Sequence, residues 1–156
     1  MIKLTKSKGV GLIEVLVTVL LLATSLLAIA TLQTRSLQYN QSAYLRSQAN
    51  ILVYDIIDRM RVNRSEVKSY SLGFGDDAPT GTSLAEKDMR GWLTQVEDVL
   101  PDSEALIECA DNTSGGIQVV KCTVSLRWIE KSLFGEVDED DLDDEARTTF
   151  TYSTSL

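Results

Sequence analysis

The residues that could do chemistry lie at the start of the chain. Glu14 is a single carboxylate in an apolar run that continues to Leu32. An ionised carboxylate is costly at bilayer depth and is a functional residue there by default. Ahead of it lie a small residue, Gly9, and a basic leader that contains Lys3, Lys6 and Lys8. Together these features predict a peptide cut next to Gly9 and an assembly step that uses Glu14.

The apolar run is predicted to be one membrane-spanning helix. A secretory signal is normally cut after its apolar part, whereas a cut at Gly9 leaves the helix on the mature protein. With Val10 included, the run reaches the ~20 residues that a bilayer span needs. The lysines place the leader on the cytoplasmic side. We therefore expect a cleaved leader over residues 1–9, a membrane and assembly segment over 10–32, and a head outside the cytoplasm over 33–156.

The helical pattern continues beyond the membrane segment. No glycine lies between Gly11 and Gly73 and no proline precedes Pro79, so one helix is predicted from about Val10 to about Arg61. Such a helix is ~80 Å long at a rise of about 1.5 Å per residue. Residues that are mostly apolar or small recur at three- and four-residue spacing and are expected to form the inward stripe of this helix. They are Leu32, Ser36, Tyr39, Ala43, Arg46, Ala49, Val53, Ile56 and Met60.

A second helix is predicted after a turn-rich loop over residues 71–82. Ser83 and Glu86 form a capping-box pattern that starts this helix, and Pro101 ends it. Trp92 is interpreted as a core residue of its apolar face. The other members of that face are Met89, Leu93, Val96, Val99 and Leu100.

The two cysteines are predicted to form a disulfide across a hairpin. Residues 120–128 alternate as a half-buried strand, and 106–110 are its expected partner. If the turn is centred on residues 115–116, Cys109 faces Cys122 in a non-hydrogen-bonded pair, where alpha carbons approach most closely. Because the head is expected outside the cytoplasm, where the environment is oxidising, we predict a disulfide and not a metal pair.

The last third of the chain contains an acidic run and a final strand. Residues 136–145 are almost all carboxylates, without the spacing of a calcium-binding loop. We interpret this run as a solvated loop and expect no metal site. Arg147 to Thr154, in which Phe150 and Tyr152 alternate with polar residues, is predicted to be a strand.

Composition narrows the functional classes. The 156-residue chain carries a net charge of −8, and loss of the three leader lysines leaves −11, which argues against nucleic acid as a partner. There is no histidine, the commonest general base and metal ligand. No cofactor is expected and the chain is predicted not to be an enzyme, although Glu130 or the acidic run could still provide carboxylate acid–base chemistry.

The segment from Gly9 to Val17 resembles the type IV prepilin motif of pilins and type II secretion pseudopilins. The resemblance implies cleavage between Gly9 and Val10 by prepilin peptidase, methylation of the new amino terminus at Val10, and an assembly charge at Glu14. Val10 departs from the phenylalanine that is usual in the family.

A second resemblance is to PilV-type minor pilins. It lies in residues 50–64, at the predicted end of the long helix, and in 88–101. The family-motif residues at the helix end are Asp58, Arg59, Met60, Arg61 and Asn63. From the residues alone, this stretch is also a plain helix end with Met60 buried and basic residues in the last turn, where the helix dipole favours them.

The two resemblances imply an α+β, type IV pilin-like fold, with a long amino-terminal helix packed on a small antiparallel sheet. They imply a minor pilin in pilus assembly or initiation, at or near the tip, in an inner membrane first and in the extracellular fibre afterwards. The implied partners are other major and minor pilins, the inner-membrane assembly platform, prepilin peptidase and a tip adhesin. A minor pseudopilin of type II secretion and a membrane-anchored ligand-binding domain are the alternatives. Motility, adhesion and DNA uptake stay open as roles of the pilus.

Overall fold

The computed structural model describes residues 11–114, 117–130 and 147–156 and has the predicted α+β arrangement. A long helix comes first, followed by a short 3-10 helix, a second helix and a three-stranded antiparallel sheet. The elements are α1 (Leu12–Val62), the 3-10 helix (Arg64–Ser69), α2 (Leu84–Val99), β1 (Glu104–Ser114), β2 (Ile117–Ile129) and β3 (Arg147–Ser155). The fold class is therefore confirmed. The chain forms two compact units, residues 1–40 and 41–156.

In the first unit, α1 has its apolar side chains exposed. Leu12 is 80% exposed and Leu27 is 69% exposed. The hydroxyl of Thr31 donates to the carbonyl of Leu27 at 3.0 Å, so this polar group is satisfied within the helix itself. By length and composition, α1 contains a segment that is apolar enough to cross a membrane.

The second unit contains the hydrophobic core. The buried residues of α1 begin at Leu45 and lie on one face; they are Leu45, Ala49, Leu52, Val53, Ile56, Ile57 and Met60. The predicted inward stripe was correct from Ala49 onwards. It was wrong for Leu32, Ser36, Tyr39, Ala43 and Arg46, which are exposed.

The second helix begins and ends as its sequence predicts. The Ser83 hydroxyl accepts from the Glu86 backbone N–H and the Glu86 carboxylate accepts from the Ser83 N–H, which completes the capping box. Leu100 is extended and ends α2 directly before Pro101. One face of α2 is buried, and Trp92 is fully buried on it.

The sheet has the order β1-β2-β3, and each neighbouring pair is antiparallel. Ile107 lies opposite Val124 and Ser114 opposite Ile117, as the predicted hairpin register requires. The strands are longer than predicted, because pairing continues past 106–110 and 120–128 on both sides. Leu72, in the loop before α2, adds an isolated bridge to Ile107.

Candidate functional site

Glu14 lies in the first turn of α1, within the first unit. A carboxylate is favourable at this end of a helix because the free backbone N–H groups and the helix dipole are positive there. The side chains around it are apolar and exposed, including Ile13 at 72% and Leu16 at 58%. The first unit therefore presents one carboxylate on an exposed apolar helix, which is chemically suited to pair with a positive group of another molecule.

The predicted helix-end motif forms a set of local ion pairs at the carboxyl end of α1. Arg59 lies 2.8 Å from the Asp55 carboxylate, and Arg61 lies 2.7 Å from that of Asp58. Met60, which lies between Arg59 and Arg61 in the sequence, is fully buried. Pairs of this kind on a helix surface are worth only about 0.3–0.5 kcal/mol each. The motif thus combines a core residue with a charged helix surface.

Asn63 and two residues outside the predicted motif connect the helix end to α2. The Tyr70 hydroxyl donates to Oδ2 of Asp88 at 2.6 Å, and the Asn63 side-chain amide donates to the Tyr70 oxygen at 3.4 Å. Tyr70 is fully buried. The loss of solvent on burial, followed by the hydrogen bond to Asp88, raises the pKa of Tyr70 to about 12. The phenol is therefore a fixed, neutral donor at physiological pH.

A hydrogen bond of Trp92 also connects α2 to α1. Its indole N–H donates to the backbone carbonyl of Leu52 at 2.8 Å, in a fully buried position. The sequence indicated that Trp92 is a core residue but gave no sign of this acceptor. The Tyr70–Asp88 contact was also missed, because its partners are separated by a loop whose path the sequence does not specify.

The hairpin places Cys109 opposite Cys122, and the two sulfur atoms are bonded. Their alpha carbons are 4.1 Å apart. Cys122 is fully buried and belongs to the core, whereas Cys109 packs against it from a half-buried position. The disulfide therefore crosslinks the sheet at the edge of the core and offers no free thiol for chemistry.

A second charged cluster, which sequence reasoning missed, joins the three strands. Glu104 of β1 accepts from the Arg127 guanidinium of β2 at 2.6 Å, and Arg147 of β3 lies 3.1 Å from the other Glu104 oxygen. The Arg127 guanidinium also lies 4.2 Å from the centre of the Phe74 ring. All three charged side chains are largely buried, so the cluster is best understood as a crosslink of the sheet.

Several sequence predictions lie outside the described residues. They are the leader over residues 1–9, the cleavage and methylation site at Gly9 and Val10, the turn centred on residues 115–116 and the acidic run over 136–145. Within residues 11–114, 117–130 and 147–156, no group of three or more carboxylate, cysteine or histidine side chains is placed to hold a metal ion.

A comparison with protein families finds a match over part of the chain. A family model described as Tt1218-like, type IV pilin Tt1218, matches residues 31–86. This match supports a type IV pilin. It covers the second half of α1, the helix-end motif, the Tyr70 loop and the start of α2, and it does not include Glu14 or the sheet. No curated protein and no solved structure matches the chain.

The pilin match covers about a third of the chain and agrees with the exposed apolar helix of the first unit. Type IV pilins are structural subunits that interact with other pilins in the pilus. A membrane-anchored, pilus-forming protein fits both the match and the apolar first unit.

Proposed function

We propose that this pilin is a PilV-like minor subunit that takes part in the assembly and initiation of a type IV pilus, at or near its tip. In this proposal prepilin peptidase cuts between Gly9 and Val10 and the new amino terminus is methylated. Before assembly the subunit is anchored in the inner membrane with its head in the periplasm. The assembly platform then moves it into a fibre, where its partners are major and minor pilins and a tip adhesin.

The observation that carries the proposal is the exposed apolar helix with one carboxylate. From Leu12 to Leu32 the structure leaves large apolar side chains uncovered, and Glu14 is the only charged residue among them. A large exposed apolar surface marks a region that lies in a bilayer or packs against another protein. A fibre core of packed pilin helices provides the second environment once the subunit has left the membrane.

In that core Glu14 is proposed to pair with the methylated amino terminus of a neighbouring subunit. Two opposite charges can leave the bilayer together at a lower cost than either alone, because each offsets the desolvation of the other. Removing one partner of a pair in a dry environment costs about 3–5 kcal/mol. The carboxylate therefore selects for correctly cleaved neighbours, whose amino terminus is free.

The minor-pilin assignment rests on the helix-end motif. Asp58 to Asn63 resembles the PilV pattern, and these residues lie within the stretch that matches the pilin family model. Their contacts hold the end of α1 through local ion pairs and a buried methionine. In this proposal the motif residues contribute packing and ion pairs at the end of α1, and Glu14 provides the charge that is used in assembly.

Glu14→Ala tests the assembly role. The variant should be made, cleaved and retained in the inner membrane, yet be depleted from sheared pili, as measured by immunoblot of both fractions. Glu14→Asp keeps the charge with a shorter reach and should be partly incorporated. Thr18→Ala is the matched control, since its hydroxyl only donates to the Val15 carbonyl of the same helix. Normal amounts of the alanine variant in pili would contradict the charge-pairing role.

Immunogold labelling tests the position in the fibre. Antibody against the head should label pilus ends at low copy number, and fibres should be fewer when the gene is deleted. Uniform labelling along the shaft would instead identify a major subunit. A fibre that depends on type II secretion genes would favour the pseudopilin alternative.

A further inference from the structure

The segment that directly follows the apolar run has an unusual surface. Residues 33–40 belong to the first unit and continue α1. Leu37 is 69% exposed and Tyr39 is 75% exposed. Arg35 is exposed and forms no ion pair with any residue in the described ranges. An arginine and a tyrosine one helical turn apart are thus presented together, on the same side of the helix.

Helix length places this segment at the level of lipid headgroups. Leu12–Leu32 corresponds to ~32 Å at a rise of about 1.5 Å per residue, and the hydrocarbon core of a bilayer is ~30 Å thick. Arg35 then lies ~4.5 Å and Tyr39 ~10.5 Å beyond Leu32 along the axis. Helical side chains lean towards the amino terminus, so the Tyr39 ring is directed back towards the membrane surface.

The charge pattern fits an anionic surface. Arg35 is the only charged residue between Glu14 and Arg46, so no acidic residue at the carboxyl end of the membrane segment would repel a phosphate. The whole chain, in contrast, has a net charge of −8. A guanidinium binds phosphate oxygens through paired N–H donors, and a tyrosine ring is favoured where an apolar region meets water.

We propose that Arg35 and Tyr39 form a contact site for phospholipid headgroups on the periplasmic face, which sets the depth of the anchor before assembly. The site rests on the proposed membrane stage of this pilin and adds a specific lipid contact to it. Continuity with the apolar run, the length of that run and the isolated positive charge all point to headgroups as the occupant.

The test measures how deeply residue 39 lies in the bilayer. It uses the full-length protein in vesicles of phosphatidylcholine and phosphatidylglycerol. Tryptophan is introduced as Tyr39→Trp, and quenching is measured with lipids brominated near the carbonyl end of the acyl chain. Trp92 and Trp128 are fully buried, and their fluorescence gives a background that is measured with the unchanged protein. We expect about twofold stronger quenching than for Tyr44→Trp, which lies ~7.5 Å farther along the helix axis.

A charge reversal tests the arginine. Arg35→Glu in the Tyr39→Trp background should reduce the quenching to the level of Tyr44→Trp. The matched change Arg46→Glu should leave it unaltered, because Arg46 lies beyond the headgroups and faces Glu130 at 3.6 Å. If Arg35→Glu and Arg46→Glu reduce the quenching equally, the proposed headgroup site at Arg35 is wrong.

Leu22→Trp separates this inference from the proposed function. It lies inside the apolar run, so strong quenching there reports insertion of the anchor. Strong quenching of Leu22→Trp with none for Tyr39→Trp would refute the headgroup site and leave the anchor intact. No quenching at either position would refute both. Shielding of Tyr39→Trp only in sheared fibres would assign the surface to a neighbouring subunit and overturn the lipid site.

Discussion

Tyr70 donates its hydroxyl to Oδ2 of Asp88 at 2.6 Å, and this contact joins the end of the 3-10 helix to α2. Asn63, at the end of α1, donates to the same phenolic oxygen at 3.4 Å. One buried phenol therefore connects three helical segments. Since all of these residues except Asp88 lie within 31–86, most of this junction falls in the stretch that matches the pilin family.

Tyr70→Phe should destabilise the head. It removes the donor to a partly buried carboxylate, and hydrogen bonds to charged groups contribute about 1.5–3 kcal/mol. The measurement is the free energy of unfolding by urea, for full-length protein in detergent. Tyr44→Phe is the control, because its side chain is 56% exposed and it lies in the same unit of the chain. Equal stability of the two variants would contradict the role of the contact.

Tyr70 should lose its proton at a higher pH than an exposed tyrosine does. Its pKa is raised from 10.0 to about 12, so the folded state favours the neutral phenol. This contribution to stability is complete below pH 10.0 and is lost as the pH rises through about 12. The hydrogen bond with Tyr152 also raises the pKa of Tyr54. Absorbance titration of the phenolates should therefore show a late phase to which Tyr70 contributes, and Tyr70→Phe should reduce the amplitude of that phase by one tyrosine. Titration of every tyrosine near its ordinary pKa would contradict the buried environment.

The capping box of α2 should make stability depend on pH in the acidic range. Hydrogen bonds from the Ser83 side chain and then from its backbone lower the pKa of Glu86 below its ordinary value of 4.5. Its contribution is therefore present above pH 4.5 and is lost as the pH falls through the lowered pKa. Thermal melts should show that Glu86→Gln weakens this dependence. Lys87→Gln, at an exposed neighbour, should leave the dependence unchanged.

Loss of the disulfide should weaken the hairpin. Replacing both Cys109 and Cys122 by alanine opens a short loop whose closure is worth about 3 kcal/mol in the chain-entropy account. Because Cys122 is buried, alanine is preferred to serine, which would bury an unpaired hydroxyl. Urea unfolding of the variant should match that of the reduced wild-type protein. Unchanged stability after reduction would show that the bond adds nothing to the folded sheet.

Cleavage of the leader can be tested directly. The protein from cells that contain prepilin peptidase should begin at Val10 and carry a methyl group there. Intact-mass measurement of peptidase-positive and peptidase-negative strains distinguishes the two forms. Gly9→Leu should block the cut, whereas Ser7→Ala should not. Retention of Met1 to Lys8 in the peptidase-positive strain would contradict the predicted signal.

Local signals in the sequence determined where most elements begin and end. The capping pattern at Ser83, the proline at Pro101 and the cysteine spacing around the hairpin turn act over a few residues, so they can be recognised without the fold. The 3-10 helix over Arg64–Ser69 was missed, since it carries no such signal. The apolar run was equally visible, because a bilayer-spanning segment is defined by composition and length.

Tertiary structure decided which residues meet. Helical spacing alone included Arg46 in the inward stripe and omitted Leu45. In the folded head Leu45 is the first residue of α1 in the buried core, and Arg46 is exposed. Tyr70 with Asp88, Trp92 with the Leu52 carbonyl, and Glu104 with its two arginines depend on loops and strands that bring distant positions together. Such pairings are fixed by the packing of the whole core, because a buried polar group is stable only where the completed fold provides its partner.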